Sequence, residues 1–176
     1  MLVRVFSFLI VVAGTLFSTP KDYLLVSTKQ FTVQGTTSIG GFECNYDLKT
    51  KDTLFFNSPY QTNVISHSIP VRNFGCGNFL LNNDFRKTLK EKEYPTIKII
   101  LSNFKKEEEK ITCNLTINLV GKKRVYKQLP LKLKQHALQG EVLLNISDFD
   151  LEPPKKMGGI IKINEEIKLV VNLKTE

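Results

Sequence analysis

Three cysteines, two histidines and one short run of acids are the residues of this chain whose types could do chemistry. Cys44, Cys76 and Cys113 lie 32 and 37 positions apart, which fits no CxxC metal or redox motif, and only two histidines accompany them. The thiol of Gly75-Cys76-Gly77 could be imagined as reactive. No histidine lies nearby to lower its pKa, so a bridged or structural cysteine is the stronger reading. His67 and His136 are 69 positions apart in polar, turn-rich settings and read as solvent-exposed. Asp148, Asp150 and Glu152 alternate in a way that could suggest calcium. They lack the glycine turn and ligand density of a hand-type loop, and read as a solvated strand face.

No GxSxG, HExxH or glycine-rich phosphate loop occurs. Asn114-Leu-Thr116 and Asn145-Ile-Ser147 match glycosylation sequons, but both fall in expected strands where a glycan would disturb packing. The chain does not read as an enzyme, and neither a cofactor nor a metal is expected.

The elements that would position any site are strands. Arg4 followed by the apolar run Val5 to Ala13, then small residues from Gly14 to Thr19, reads as a signal peptide over residues 1–18. The run is too short to span a bilayer, which takes ~20 residues. The expectation is a periplasmic or otherwise exported protein with one domain over residues 19–176. In such a compartment one disulfide plus one leftover thiol is the natural arithmetic. Cys44 with Cys76 is the expected pair, because Cys113 falls in a strand that reads as buried.

The formal net charge of +8 could imply nucleic acid, anionic lipid or acidic partners. The lysines, however, are scattered along polar strand faces and turns, where they protect strand edges, and no nucleic-acid partner is expected.

Period-two alternation recurs along the chain. Phe31 and Val33 alternate with Thr32 and Gln34. Phe42, Cys44, Tyr46 and Leu48 alternate with Glu43, Asn45 and Asp47. Ile111, Cys113, Leu115, Ile117 and Leu119 form the longest such series, ending at a Gly121-Lys122 turn. Further strands are expected over Val125 to Leu133, Gly140 to Ile146 and Glu166 to Leu173. One short helix interrupts them after about residue 82, with Asn82 or Asn83 as its cap and Tyr94-Pro95 as its stop. Phe85 and Leu89 share one face of it. A sheet apolar on one face must close into a barrel or fold into a sandwich, and periodicity alone does not choose.

Several stretches, read together, carry a resemblance. They are Phe31-Thr-Val-Gln-Gly-Thr-Thr-Ser-Ile-Gly-Gly-Phe-Glu-Cys44, and Ile69-Pro-Val-Arg-Asn-Phe-Gly-Cys-Gly77 followed by Asn83-Asp-Phe-Arg-Lys-Thr-Leu89 and Tyr94-Pro-Thr-Ile97. Leu115-Thr-Ile-Asn-Leu-Val-Gly-Lys122 and Ser147-Asp-Phe-Asp-Leu-Glu-Pro-Pro154, with Gly158-Gly159 and the final strand, complete the set. In order and spacing, over about residues 24–173, they resemble the YceI-like family of bacterial exported proteins. Asp150 departs from the glycine or isoleucine usual there, and Lys123 from the commoner valine or threonine.

The resemblance implies an all-β fold: a single antiparallel, lipocalin-like, eight-stranded barrel with the helix packed beside or over it. It also implies an apolar channel for a long-chain lipid such as a polyisoprenoid, quinone or fatty acid. Transient membrane contact and a homodimer are compatible with it. From the alternation, the inward ligand-binding positions are Phe31, Val33, Phe42, Tyr46, Phe79, Phe85, Leu89, Ile97, Ile99, Leu115, Ile117, Leu143, Leu169 and Val171. Cys113 shares the inward face of its strand as a tucked-in thiol. The alternative is a ligand-free structural or interaction barrel of the cell envelope with a packed core.

Overall fold

The computed structural model describes residues 23–57, 63–154 and 163–176. The expected signal peptide and Gly158-Gly159 lie outside the described residues. Among the described residues nine strands form one sheet: β1 (Tyr23–Thr37), β2 (Gly40–Leu48), β3 (Asp52–Phe55), β4 (Val64–Pro70), β5 (Thr96–Glu107), β6 (Lys110–Leu119), β7 (Lys122–Lys134), β8 (Ala137–Asn145) and β9 (Ile163–Thr175). A helix, α1 (Phe79–Thr88), follows β4, and short 3-10 turns occupy Val71–Asn73 and Ile146–Phe149.

All pairings are antiparallel, along the path β2-β1-β9-β8-β7-β6-β5-β4. The short β3 pairs Tyr23–Val26 and so extends the β1 edge that β2 occupies. Eight strands thus make the continuous path, as the barrel expectation requires. β3, between turn-rich flanks, was not foreseen.

Long twisted strands curl a sheet until its ends approach. Here the ends meet without a ladder among the described residues. Asn45 of β2 exchanges two backbone hydrogen bonds of 2.9 Å with Gly75, just beyond β4. Beside that bridge, Cys44 and Cys76 form a disulfide. Farther along, the Asn63 side chain accepts from the Phe55 amide at 3.1 Å and donates to the Phe55 carbonyl. Asn57 does the same at Lys106 of β5, donating to its carbonyl at 2.7 Å and accepting from its amide at 3.3 Å, so among the described residues the seam of the half-barrel is sewn by one bridge, one disulfide and two asparagines.

The helix begins earlier than residue 82. Asn78 is its cap, its Oδ1 accepting from the Leu81 amide at 2.9 Å. Asn82, expected as a cap, instead accepts from the Cys76 amide at 2.7 Å and ties α1 to the disulfide. The helix also ends at Thr88, and Tyr94-Pro95 terminates the following turn rather than the helix itself. Three asparagines at 78, 82 and 83 compete for the cap. The one directly after Gly77, whose φ is +86°, wins because the chain turns there.

Inside the curl the side chains form rows set by strand register. Val33 pairs with Cys44 and Leu169; two residues along, Phe31 pairs with Tyr46 and Val171; two further, Lys29 pairs with Leu48 and Leu173. On the opposite wall Ile99 pairs with Ile117, and Leu101 with Leu115. Phe31, Leu101, Leu115 and Val171 are each fully buried and make a packed floor across the interior.

Below that floor lies a departure from the expectation that lysines sit on polar strand faces. Lys29 is wholly buried, its Nζ donating to the Thr50 carbonyl at 2.6 Å and pairing with Asp52. Cys113 is also buried, and burial pushes its thiol up to about 12, which leaves it inert at neutral pH.

His67 was expected at the surface, yet its Nε2 is closed off from solvent. It alternates inward on β4 with buried Ile65 and Ile69. Its pKa is lowered by desolvation first and by the Lys29 charge second, with Asp52 opposing. A histidine whose folded pKa lies below its unfolded value takes up its proton first in the unfolded chain. That part of the stability is intact above about pH 6.5 and is lost as pH falls through the folded pKa. Urea midpoints should therefore decline as the pH is lowered below about 6.5, and His67→Gln should flatten that slope. A slope unchanged by the substitution would remove His67 as its cause.

Candidate lipid-binding cavity

Above the floor the half-barrel encloses a cavity of about 360 Å³. Val33 and Thr37 of β1, Phe42 and Cys44 of β2, Ile97 and Ile99 of β5, Ile117 and Leu119 of β6, Leu144 of β8, and Ile163, Ile167 and Leu169 of β9 form its walls. Ile39, Gly40 and Gly41 of the β1–β2 hairpin stand at its edge, and α1 lays Leu81, Asp84, Phe85, Thr88 and Leu89 along one side. Those helix positions are three and four apart, so a single face lines the space. Phe85 is anchored by Phe74 at 5.2 Å between ring centroids, and Phe74 by Tyr46 at 5.7 Å. Gly35 has a direct part in the shape. A Cβ there would fall 2.4 Å from the ring of Phe42, so only glycine lets that ring fold over β1.

Eight of the fourteen anticipated positions line this cavity: Val33, Phe42, Phe85, Leu89, Ile97, Ile99, Ile117 and Leu169. Phe31, Leu115 and Val171 face inward but belong to the floor, and Tyr46 packs on Phe74 beside it. Two were misplaced. Phe79 is 74% exposed and Leu143 56% exposed. Phe79 lies on the side of α1 opposite Leu81 and Phe85. Val142, Leu143 and Leu144 are consecutive apolar residues that hide the parity of β8. Register resolves it, because Val142 and Leu144 pair with the inward Leu169 and Ile167.

Of the remaining lining, Cys44 and Leu119 continue alternating strand series, whereas Phe74, Leu81, Ile146, Phe149, Leu151 and Pro154 come from turns and the helix, which alternation could not reveal. Several of them fill a breach in the wall. β7 pairs with β8 only from Leu131 to Lys134, against Ala137 to Gly140. From there β8 continues along β9 to Asn145, while β7 runs back along β6 to Lys122. The wedge between them is occupied by the turn Ile146–Phe149 and the residues after it, with Ile146, Phe149 and Leu151 buried.

Outside, Lys122 Nζ holds Asp150 Oδ2 at 2.6 Å, and the Arg124 guanidinium lies 6.0 Å from the Phe149 ring centroid. The hydrogen bond and charge of Lys122 hold the Asp150 carboxyl below its ordinary range. Asp150 has φ +54°, a left-handed conformation that aspartate tolerates and glycine favours. The acidic run at 148–152 is thus a turn that latches the wedge, not a solvated strand face. The two sequon asparagines are occupied as acceptors: Asn114 from the Gln128 amide at 3.1 Å, and Asn145 from the Ser147 amide at 3.2 Å.

Among the described residues no group of three or more His, Cys, Asp or Glu side chains could hold a metal ion. None of their helices is long and apolar enough to cross a membrane. The arrangement can enclose hydrocarbon: its walls are aliphatic and aromatic, and among the described residues polar side chains come only from Thr37, Asp84 and Thr88.

No protein-family model matches the chain, and no curated protein matches it by sequence. Solved structures do. Burkholderia cenocepacia BcnA superposes with a TM-score of 0.61 at 15% identity, over 82% of this chain and 94% of that one. A polyisoprenoid binding domain from Saccharophagus degradans, implicated in plant cell wall breakdown, superposes at 0.60 and 13% identity, over 89% of this chain and 99% of that one. The likeness covers 82% and 89% of this chain and shows that it shares the fold of these two structures, a curled antiparallel sheet with one helix, consistent with the lipocalin-like barrel expected from its motifs.

Proposed function

We propose that the chain is a non-enzymatic carrier of a long-chain apolar ligand of isoprenoid, quinone or fatty-acid type, working in the periplasm or another exported location. The observation that carries this reading is the apolar cavity above the floor, lined from both walls of the half-barrel and from α1. A packed structural barrel would fill that volume with its own side chains. The likeness to a domain described as polyisoprenoid binding supports the same class of ligand. The energetics suffice without polar anchors: ten buried methylenes contribute about 8 kcal/mol, against association and ordering costs of ~4 kcal/mol or more. The partners are the lipid itself and, during loading, transiently a membrane surface.

Native mass spectrometry of protein purified from its own compartment, followed by organic extraction, tests the proposal. A stoichiometric long-chain lipid supports it. A clean apo mass, unchanged after incubation with such lipids, would return the chain to a structural role. Ile117→Trp places an indole inside the cavity and should reduce lipid uptake at least about tenfold, or ~1.4 kcal/mol, while the fold is retained. Undiminished uptake by that folded variant would locate the ligand elsewhere.

A further inference from the structure

We propose that the chain docks the cavity end of its half-barrel on a lipid bilayer bearing anionic headgroups, inserting Ile39 from the β1–β2 hairpin and Phe79 and Leu80 from the start of α1. The proposal rests on the carrier reading above and names the surface on which loading takes place. The antiparallel order fixes where the two tips are: β1 ends, β2 begins, β4 ends and β5 begins at the same end of the half-barrel. The hairpin and the β4–β5 connection that contains α1 therefore project together, on the cavity side of the packed floor.

At 75%, 74% and 69% exposed, Ile39, Phe79 and Leu80 are the three most exposed large apolar side chains among the described residues. Ile39 also lines the cavity, as does Leu81 beside Leu80, so the outer apolar surface runs into the inner one. Both tips are fit to leave water. No charged residue occurs from Gly35 to Phe42 or from Asn73 to Asn83. Thr37 Oγ1 accepts from the Ile39 amide at 3.2 Å and donates to the Gly40 carbonyl at 2.7 Å, and the Asn78 cap holds the Leu81 amide. Backbone groups already bonded cost less to desolvate, and tips already fixed lose little freedom on insertion.

Basic side chains flank the uncharged stretch of α1: Arg72 before it, Arg86 and the exposed Lys87 after it. Glu91 offsets Arg72 at 3.1 Å, but the chain as a whole carries +8. Apolar tips backed by cations match a bilayer interface with anionic headgroups. A second copy of the chain fits less well. Three side chains fall far short of the ~800 Å² and roughly 20–30 residues that each partner gives to a stable protein interface.

The chain has no tryptophan, so Phe79→Trp and Leu133→Trp each supply a single reporter, at the cavity end and near the opposite end of β7. With vesicles of phosphatidylcholine and phosphatidylglycerol, the emission of Phe79→Trp should shift to the blue and be quenched by lipids brominated in the acyl chain. Leu133→Trp should do neither. Phe79→Ser combined with Leu80→Ser should weaken vesicle binding about tenfold or more and slow uptake of a fluorescent fatty probe from vesicles to match. Neither residue lines the cavity, so affinity for the same probe added free in solution should be unchanged. Vesicles of phosphatidylcholine alone should bind the parent at least about threefold more weakly.

Reporters that respond alike, or a double serine variant that binds and loads from vesicles as the parent does, overturn the docking surface and leave the carrier reading standing. Equal binding to the two kinds of vesicle overturns the choice of anionic headgroups. A parent that ignores vesicles but self-associates through Phe79 and Leu80 gives the tips to a second copy. A parent that docks as described, yet takes up no probe and yields no extractable lipid, keeps the docking surface and removes the carrier reading.

Discussion

Replacing Cys44 and Cys76 together with serine should lower the free energy of unfolding by about 3–4 kcal/mol, the chain-entropy value for a loop of roughly 30 residues. The bridge joins residues 32 apart in sequence and stands where the two ends of the strand path meet. Without it the seam there depends on one pair of backbone hydrogen bonds between Asn45 and Gly75. The Asn82 bond to the Cys76 amide, which positions α1, would lose its fixed partner. Because Cys44 also lines the cavity, affinity for a lipid should fall with stability. Urea unfolding of the double variant, compared with the parent in the presence and absence of reductant, measures this. A difference of less than about 1 kcal/mol would mean that the seam holds without the bridge.

The second large effect is expected at Phe149. Its ring is 1% exposed and fills the wedge where β7 and β8 part, so it belongs at once to the core, the wall and the cavity lining. Truncation to alanine should destabilise by about 3–5 kcal/mol, as for other buried aromatics, since the diverging strands cannot collapse onto the space without breaking their ladders with β6 and β9. It should also open a lateral path, so that a bound fluorescent lipid becomes accessible to an aqueous quencher. Phe149→Leu should retain more stability and keep the probe protected. A Phe149→Ala protein as stable and as well sealed as the parent would show that Ile146 and Leu151 close the breach alone.

Most of the sheet was legible because a half-buried strand writes its geometry into every second residue. The series from Ile111 to Leu119 gave β6 and its inward face; Phe42 to Leu48 gave β2. The register that stacks Val33 on Leu169 and Phe31 on Val171 is not in any one strand. Alternation could therefore say that Phe31 points inward, but not that it belongs to a floor beneath the cavity. Leu143 was misassigned because three adjacent apolar residues carry no parity, and Phe79 because strand-like reasoning was carried onto a helix start.

The residues contributed by turns were invisible for a different reason. Phe74, Phe149 and Leu151 owe their positions to the breach between β7 and β8 and to the seam after β4, which are properties of the closed sheet. Lys29 shows the limit most sharply. Its burial follows from Thr50 and Asp52 folding over it, a long-range event, and a lysine in an alternating strand gives no local sign of it.

The packed floor also turns the cavity into a gauge. From Phe31 to the rim at Thr37 is six strand residues, roughly 20 Å at the usual rise. Hydrocarbon lying in that depth is removed from water at about 0.8 kcal/mol per methylene, whereas any carbon beyond the rim remains wet and contributes nothing. Affinity should therefore climb with chain length and then level off, so the molecule would sort its cargo by size through a fixed stop rather than by any contact at the far end.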